Sequence, residues 1–302
     1  MKDLRRIVWI SSFPKSGNTW MRLLLAHYFL PKEVEVDINT INRFTTSDVR
    51  QDFFDRAAGR SFQAQDVEEW LAMRPKALRL IAASKPGFHF VKTHSLIGRM
   101  GDTMLIPPEV TAAALYLLRN PFDVAISLAR HQGVDIDQAI EMMADPNAVN
   151  GSKGNIYEVV GRWDSHISGW TGANGLACHP VRYEDMLADT ERCVRGLFGF
   201  LNSPVEDGQL RRAIRLTRFS ELKKQEQNSG FRERPKTMPQ FFARGTAGAW
   251  REDLTPTQVG RIRSEFLPTL EKWYPEMLDE TREFAAAAGP ENAGPGNAGT
   301  NT

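Results

Sequence analysis

Ile7-Val8-Trp9-Ile10-Ser11-Ser12-Phe13-Pro14-Lys15-Ser16-Gly17-Asn18-Thr19-Trp20 decides the reading of this chain. An apolar, β-branched run stops at Phe13, a loop with Pro, Lys, Ser and Gly follows, and Trp20 to Phe29 reads as a helix. Strand, loop and helix in that order make a phosphate site. The first N–H groups of a helix have no intrahelical acceptor and lie at the positive end of its dipole. The loop is not the usual ATP-binding one, in which a lysine follows the second glycine. Gly17 and Thr19 fit that glycine and the final hydroxyl, but Asn18 stands where the lysine belongs. The loop's lysine, Lys15, sits instead at the apex, where an ammonium faces the far end of the phosphates.

A second stretch repeats the pattern. Leu115-Tyr116-Leu117-Leu118-Arg119-Asn120-Pro121-Phe122-Asp123-Val124-Ala125-Ile126-Ser127 reads as strand, turn and helix start. The residue before a proline avoids the α region, and proline suits the first helical turn, so Asn120-Pro121 ends the strand and opens a helix. Arg119 then lies at the carboxyl end of a strand, the edge where open α/β sheets bind ligands. A Mg-dependent nucleotidase would place a carboxylate there. A guanidinium offers a planar fork for a terminal phosphate instead, and Ser127 adds a hydroxyl on the following helix.

With these segments the chain resembles the sulfotransferases that use 3′-phosphoadenosine-5′-phosphosulfate (PAPS). The resemblance rests on Phe13 to Trp20, Val91-Lys92-Thr93-His94, Leu118 to Ser127, Arg182-Tyr183-Glu184-Asp185 and Ala243 to Trp250, in the family's order and spanning most of the chain. It implies that PAPS is the cosubstrate, without a metal. The 5′-phosphosulfate would lie on Lys15, Ser16, Gly17, Asn18 and Thr19, with Trp20 against the adenine. The 3′-phosphate would meet Arg119 and Ser127, and Tyr183, Thr217 and Phe219 would border the adenine. Catalysis falls to His94 as base with Lys15, Lys92 and Ser127. Arg244 and Gly245 would close over the nucleotide. The last motif departs from the family pattern: Ala243-Arg244-Gly245 has one cation where two are usual, and Ala249 replaces an aspartate. Pro256 and Gly260 break the dimer signature of the animal enzymes, so the sequence does not commit to an oligomeric state.

Size and composition set the frame. The 302 residues, 41% of them hydrophobic, suit one α/β domain over 1–284, with an Ala/Gly/Pro/Asn tail from 285 to 302 that reads as disordered. A formal net charge of +1 gives no reason to expect a nucleic-acid or membrane partner. The two cysteines, Cys178 and Cys193, imply no disulfide framework, and no apolar run reaches the length of a membrane span. A cytoplasmic protein is expected. The basic group Arg211, Arg212, Arg215, Arg218, Lys223 and Lys224 reads as a solvated helix face.

Strands are expected near 7–13, 89–92, 113–118 and 179–182, and helices near 18–30, 66–73, 122–131, 156–170, 190–201, 208–215, 219–226 and 256–271. The alternation predicts a mostly parallel sheet covered on both faces. Residues 31–88 are expected to form helical insertions over the site, and 132–155 and 228–248 are further candidate gates. Trp163, Trp170 and Trp273 read as core, His89 as a structural strand residue, and His131 as either a pocket residue or a helix cap. The chemistry expected is sulfuryl transfer to a hydroxyl or amine of a small molecule. His94 would take the acceptor proton, and Lys15 would stabilise the leaving phosphate oxygen. A P-loop kinase or NTPase and a catalytically silent nucleotide-binding protein are the rival readings.

Overall fold

The computed structural model describes residues 4–64, 66–151 and 156–287. The first half of the chain runs β1 (Ile7–Ser12), α1 (Asn18–Phe29), β2 (Thr46–Ser47), α2 (Gln51–Ala58), α3 (Val67–Ala83), β3 (His89–Thr93), a short β4–β5 ribbon (Arg99–Met100, Thr103–Met104) and β6 (Thr111–Leu118). The chain continues through α4 (Pro121–Gln132), α5 (Ile136–Ala144), a β7–β8 ribbon (Val149–Asn150, Glu158–Val159), α6 (Trp163–Gly172) and β9 (Cys178–Arg182). Helices α7 (Tyr183–Ala188), α8 (Thr190–Phe200), α9 (Asp207–Leu216), α10 (Phe219–Ser229), α11 (Trp250–Asp253), α12 (Pro256–Trp273) and α13 (Leu278–Ala286) complete it.

The central sheet has five parallel strands in the order β2-β3-β1-β6-β9. Strand β1 is buried on both faces. Ile7 and Trp9 join a core with α3, α4, α6 and α12, while Val8 and Ile10 join one with α1, α8 and α9. That two-sided burial is why the run is continuously apolar instead of alternating. Because β3 lies on one side of β1 and β6 on the other, the order reverses at β1. The crevice beyond its carboxyl end is the sheet's binding edge. Register brings Ser11 beside Thr93 and Ser12 beside Leu117, so the chain ends that carry Lys15, His94 and Arg119 emerge together.

Three expectations need correction. The helix expected over 156–170 starts only at Trp163, and Glu158–Val159 is a strand of a ribbon instead. The helix expected to stop at 73 continues through Pro75 to Ala83, because Trp70, Ala77, Leu78 and Ile81 pack one buried face. The tail expected from 285 begins as helix, Ala285 and Ala286 closing α13, and 288–302 lie outside the described residues. Trp163 and Trp170 are fully buried, but Trp273 is only half-buried. His89 is structural, its Nε2 lying 3.1 Å from the Ile81 carbonyl.

Candidate active site

The loop after β1 turns on two residues with left-handed backbone, Lys15 (φ 70°) and Gly17 (φ 96°). A Cβ at Gly17 would lie 2.8 Å from the Tyr183 ring, so the position needs glycine for both φ and space. No side chain caps α1, and no acidic residue occupies its first turn, which leaves its N-terminal N–H groups for an anion. The Asn18 side chain turns back, its Nδ2 donating to the Ile10 carbonyl at 2.9 Å, so only its backbone faces the ligand side. Ser16 is likewise turned inward, its hydroxyl buried and without a partner among the described residues.

Lys15 Nζ lies 3.4 Å from His131 Nδ1 and 4.1 Å from the centre of the Phe241 ring. Burial, then the nearby Arg119 charge, lowers its pKa to about 7 from an ordinary 10.5. His131 is pushed down to about 4, by burial and then by the Lys15 charge, and so is a neutral acceptor for the ammonium.

His94 is fixed by its backbone and one ring nitrogen. Its N–H donates to Glu158 Oε1 at 2.8 Å, and Nδ1 lies 2.8 Å from the Ser12 carbonyl. A carbonyl only accepts, so Nδ1 carries the proton and Nε2 keeps the lone pair. Burial, then the Lys92 charge, holds its pKa well below the ordinary histidine value. Behind it, Tyr116 donates to His166 Nδ1 at 2.7 Å, and His166 Nε2 donates to the His94 carbonyl at 3.1 Å. Thr93 and Ser95, on either side, both donate to Asp48 Oδ2, which also receives Arg74 Nη2 at 2.8 Å. Lys92 Nζ sits 3.9 Å from Glu158.

Arg119 donates to the Lys15 carbonyl at 3.2 Å and to the Thr246 carbonyl at 3.3 Å, and lies over the Tyr183 ring. Its Nε and the Trp20 Nε1 are buried donors without a partner among the described residues. Tyr183 meets Trp20 edge-on, and Gly245 (φ 67°) packs directly against the Phe219 ring. Thr217 is buried, its hydroxyl on the Ala213 carbonyl. Arg244 is paired with Asp253 at 2.8 Å.

Every site residue expected from the sequence except Ser16 lines one cavity of 1810 Å³: Lys15, Gly17, Asn18, Thr19, Trp20, Lys92, His94, Arg119, Ser127, Tyr183, Thr217, Phe219, Arg244 and Gly245. His131 lines it too. Sequence reasoning missed Arg22, Glu233, Glu158 and Phe241. Arg22 is buried in α1, holds Glu233 through both Nη atoms at 3.0 Å, and donates to Asn42 at 2.7 Å. A lone arginine in the apolar run Met21 to Tyr28 was the available signal. Among the described residues, no group of three or more His, Cys, Asp and Glu side chains is placed to hold a metal, and no helix is long and apolar enough to cross a membrane.

An uncapped helix N-terminus at the switch point shares one cavity with Lys15 and His94. The family model described as "Sulfotransferase domain" matches residues 5–274. Sulfotransferase 1A1 of Canis lupus familiaris is 23% identical over 87% of this chain and 82% of its own length. Cytosolic sulfotransferase 15 of Arabidopsis thaliana is 25% identical over 86% of this chain and 71% of its own. Among solved structures, mouse sulfotransferase SULT7A1 complexed with PAP has a TM-score of 0.59 at 18% identity, over 94% of both chains. Retinol dehydratase in complex with androsterone and inactive cofactor PAP reaches 0.62 at 20% identity, over 90% of this chain and 83% of that one. At these identities the structures show the fold. The chain belongs to the family of PAPS-dependent sulfotransferases and is a transferase of that class.

Proposed function

We propose that this enzyme moves the sulfuryl group of PAPS to a hydroxyl or amine of a small-molecule acceptor. The observation that carries the reading is that His94, whose Nε2 keeps its lone pair, and Lys15 line one cavity at the same sheet edge. PAPS supplies an activated sulfuryl group on a phosphate leaving group. The residues present fit it: uncapped α1 N–H groups for the 5′ end, and an unpartnered Arg119 Nε with the Ser127 hydroxyl for the 3′-phosphate. Neighbours solved with PAP support the same reading.

The acceptor is deprotonated by His94, which takes the proton on Nε2 as the new O–S or N–S bond forms. Glu158 holds the His94 backbone and the Ser12 carbonyl holds the ring, so the lone pair needs no reorganisation. Lys15 stabilises the charge that builds on the bridging phosphate oxygen as the S–O bond breaks. No metal is needed in this scheme. Relatives named cytosolic sulfotransferases support a cytoplasmic location.

His94→Ala should lower kcat by about 10²–10⁴ while leaving the affinity for adenosine 3′,5′-bisphosphate (PAP) nearly unchanged. Near-full turnover, with the chemical step rate-limiting, would remove His94 from the mechanism. Calorimetry without Mg²⁺ should show PAP binding more tightly than ADP, and Arg119→Ala should erase that preference. Tighter binding of Mg-ADP would favour the NTPase reading.

A further inference from the structure

Helix α4 carries His131 one turn beyond Ser127. Residues four apart share a helix face, and both line the cavity. The sequence allows the ring to be a pocket group or a helix cap. It does not cap. Gly133 (φ 72°) closes α4 with its N–H on the Ala129 carbonyl, and the His131 carbonyl accepts from Thr237 Oγ1 at 3.1 Å. The ring meets the Lys15 ammonium instead, Nδ1 lying 3.4 Å from Nζ.

An ammonium only donates, so Nδ1 offers its lone pair and Nε2 carries the ring proton. The C-terminal end of a helix favours a protonated imidazole. Burial and the Lys15 charge override that preference and keep the ring neutral. Among the described residues no carboxylate pairs with Lys15, and His131 is the one hydrogen-bond partner of its ammonium. The Phe241 ring, 4.1 Å from Nζ, is the second contact. Arg119 after β6 and Glu233 in 228–248 act on the ammonium through their charges, and Lys92 of β3 acts on the ring. The Lys15 backbone is fixed as well, left-handed and with its carbonyl on Arg119.

We propose that His131 is a positioning residue: its neutral imidazole holds the Lys15 ammonium in place before the nucleotide arrives, using one of three N–H donors and leaving two for the nucleotide. The inference rests on the reading of Lys15 as the leaving-group cation. An unheld lysine would lose its rotamer freedom only as PAPS binds, whereas electrostatic stabilisation is strongest when the donor needs no reorganisation. A carboxylate in place of His131 would grip the ammonium more firmly but offset the charge needed at the leaving oxygen. A neutral acceptor holds it and leaves that charge whole. Thr237 and Phe241 both belong to 228–248, so one segment secures the helix end that carries His131 and the ammonium it holds.

The test is calorimetry of PAP binding to His131→Leu, His131→Asn, Lys15→Met and the two double variants. Asparagine carries an oxygen on Cγ, where imidazole has Nδ1, so it keeps a neutral acceptor that leucine lacks. His131→Leu should weaken PAP binding at pH 7 by roughly threefold or more, and that loss should vanish in the Lys15→Met background. A hydrogen bond to the ammonium favours its charged form, so removing the acceptor should take the Lys15 pKa below about 7. The proton uptake that Lys15→Met abolishes should then rise from about half a proton at pH 7 towards one, read in two buffers of different ionisation enthalpy. His131→Asn should keep both values near wild type. His131→Met, unbranched, repeats the leucine measurement should the branched side chain loosen α4. An equal loss of PAP affinity with and without the Lys15 ammonium would mean that His131 meets the nucleotide itself, and would overturn the proposal. So would unchanged proton uptake in the leucine variant, or asparagine behaving as leucine does. Failure of PAP to bind the wild type would instead overturn the underlying reading.

Discussion

The Lys15 ammonium is buried beside Arg119, with its pKa pushed down to about 7. The sign of the consequence is fixed. The unfolded chain keeps this proton up to the ordinary 10.5 and the folded one loses it near 7, so stability rises with pH across that window. Lys15→Met should therefore raise the melting temperature of the ligand-free enzyme at neutral pH, and that gain should fade by pH 10.5. The same change should lower kcat by about 10²–10³, the usual weight of one such donor. Nucleotide binding adds negative charge and lifts the pKa. At about pH 8 PAP binding should then take up a proton in the wild type and none in Lys15→Met, read by calorimetry in two buffers of different ionisation enthalpy. Equal uptake in both proteins would place the titrating group elsewhere. Lys15 was legible in the sequence because it is displaced from the usual loop position. The inward turn of Asn18 and Ser16 was not, because residue type does not say which way a loop side chain faces. The Arg22–Glu233 pair was also hidden: its partners are 211 residues apart.

At the scale of elements, the segment from Asn228 to Gly248 runs along the cavity and is held by side chains from other parts of the fold. Glu226 accepts the N–H groups of Phe241 and Phe242 at 2.8 and 2.9 Å, and Asp123 accepts those of Gly248 and Trp250 at 2.8 and 3.2 Å. Glu226 is itself buried. Glu226→Ala would leave amides unpaired, a cost of about 1–3 kcal/mol each where they stay dry. The expected result is faster proteolysis within 228–248 and a higher KM for the acceptor, while Glu226→Gln keeps much of the wild-type protection. Unchanged cleavage in the alanine variant would mean that this segment is held elsewhere. The strands β1, β3, β6 and β9 and six of the eight expected helices fall within a few residues of their expected places, because burial imposes a period on their sequence. Strand β2 was not legible. Two residues carry no period, and Thr46–Ser47 owe their strand to the neighbouring β3. Glu158–Val159 was misread for the same reason, and α3 runs past its expected end because its buried face continues beyond Pro75.

For the whole molecule, the sheet makes the site and the core one structure. Loops after β1, β3, β6 and β9 all enter the cavity, and the ion pair between fully buried Arg74 and Asp48 ties α3 and the segment after β2 to the chain beside His94. Removing one partner of such a pair strands the other charge and typically costs about 3–5 kcal/mol. Asp48→Ala should thus lower the melting temperature and kcat together, whereas Lys15→Met separates them. The same connectivity fixes how ligand binding reads out. A nucleotide at about 100 times its Kd should stabilise the folded state by about 2.7 kcal/mol. For a domain of this size that shifts the melting temperature by roughly 5 °C. Because strands on both sides of β1 contribute to the site, scanning calorimetry should show a single transition that moves as a unit when PAP is added. Two transitions, only one of them shifted by PAP, would divide the chain into separate folding units and overturn the single domain expected over 1–284.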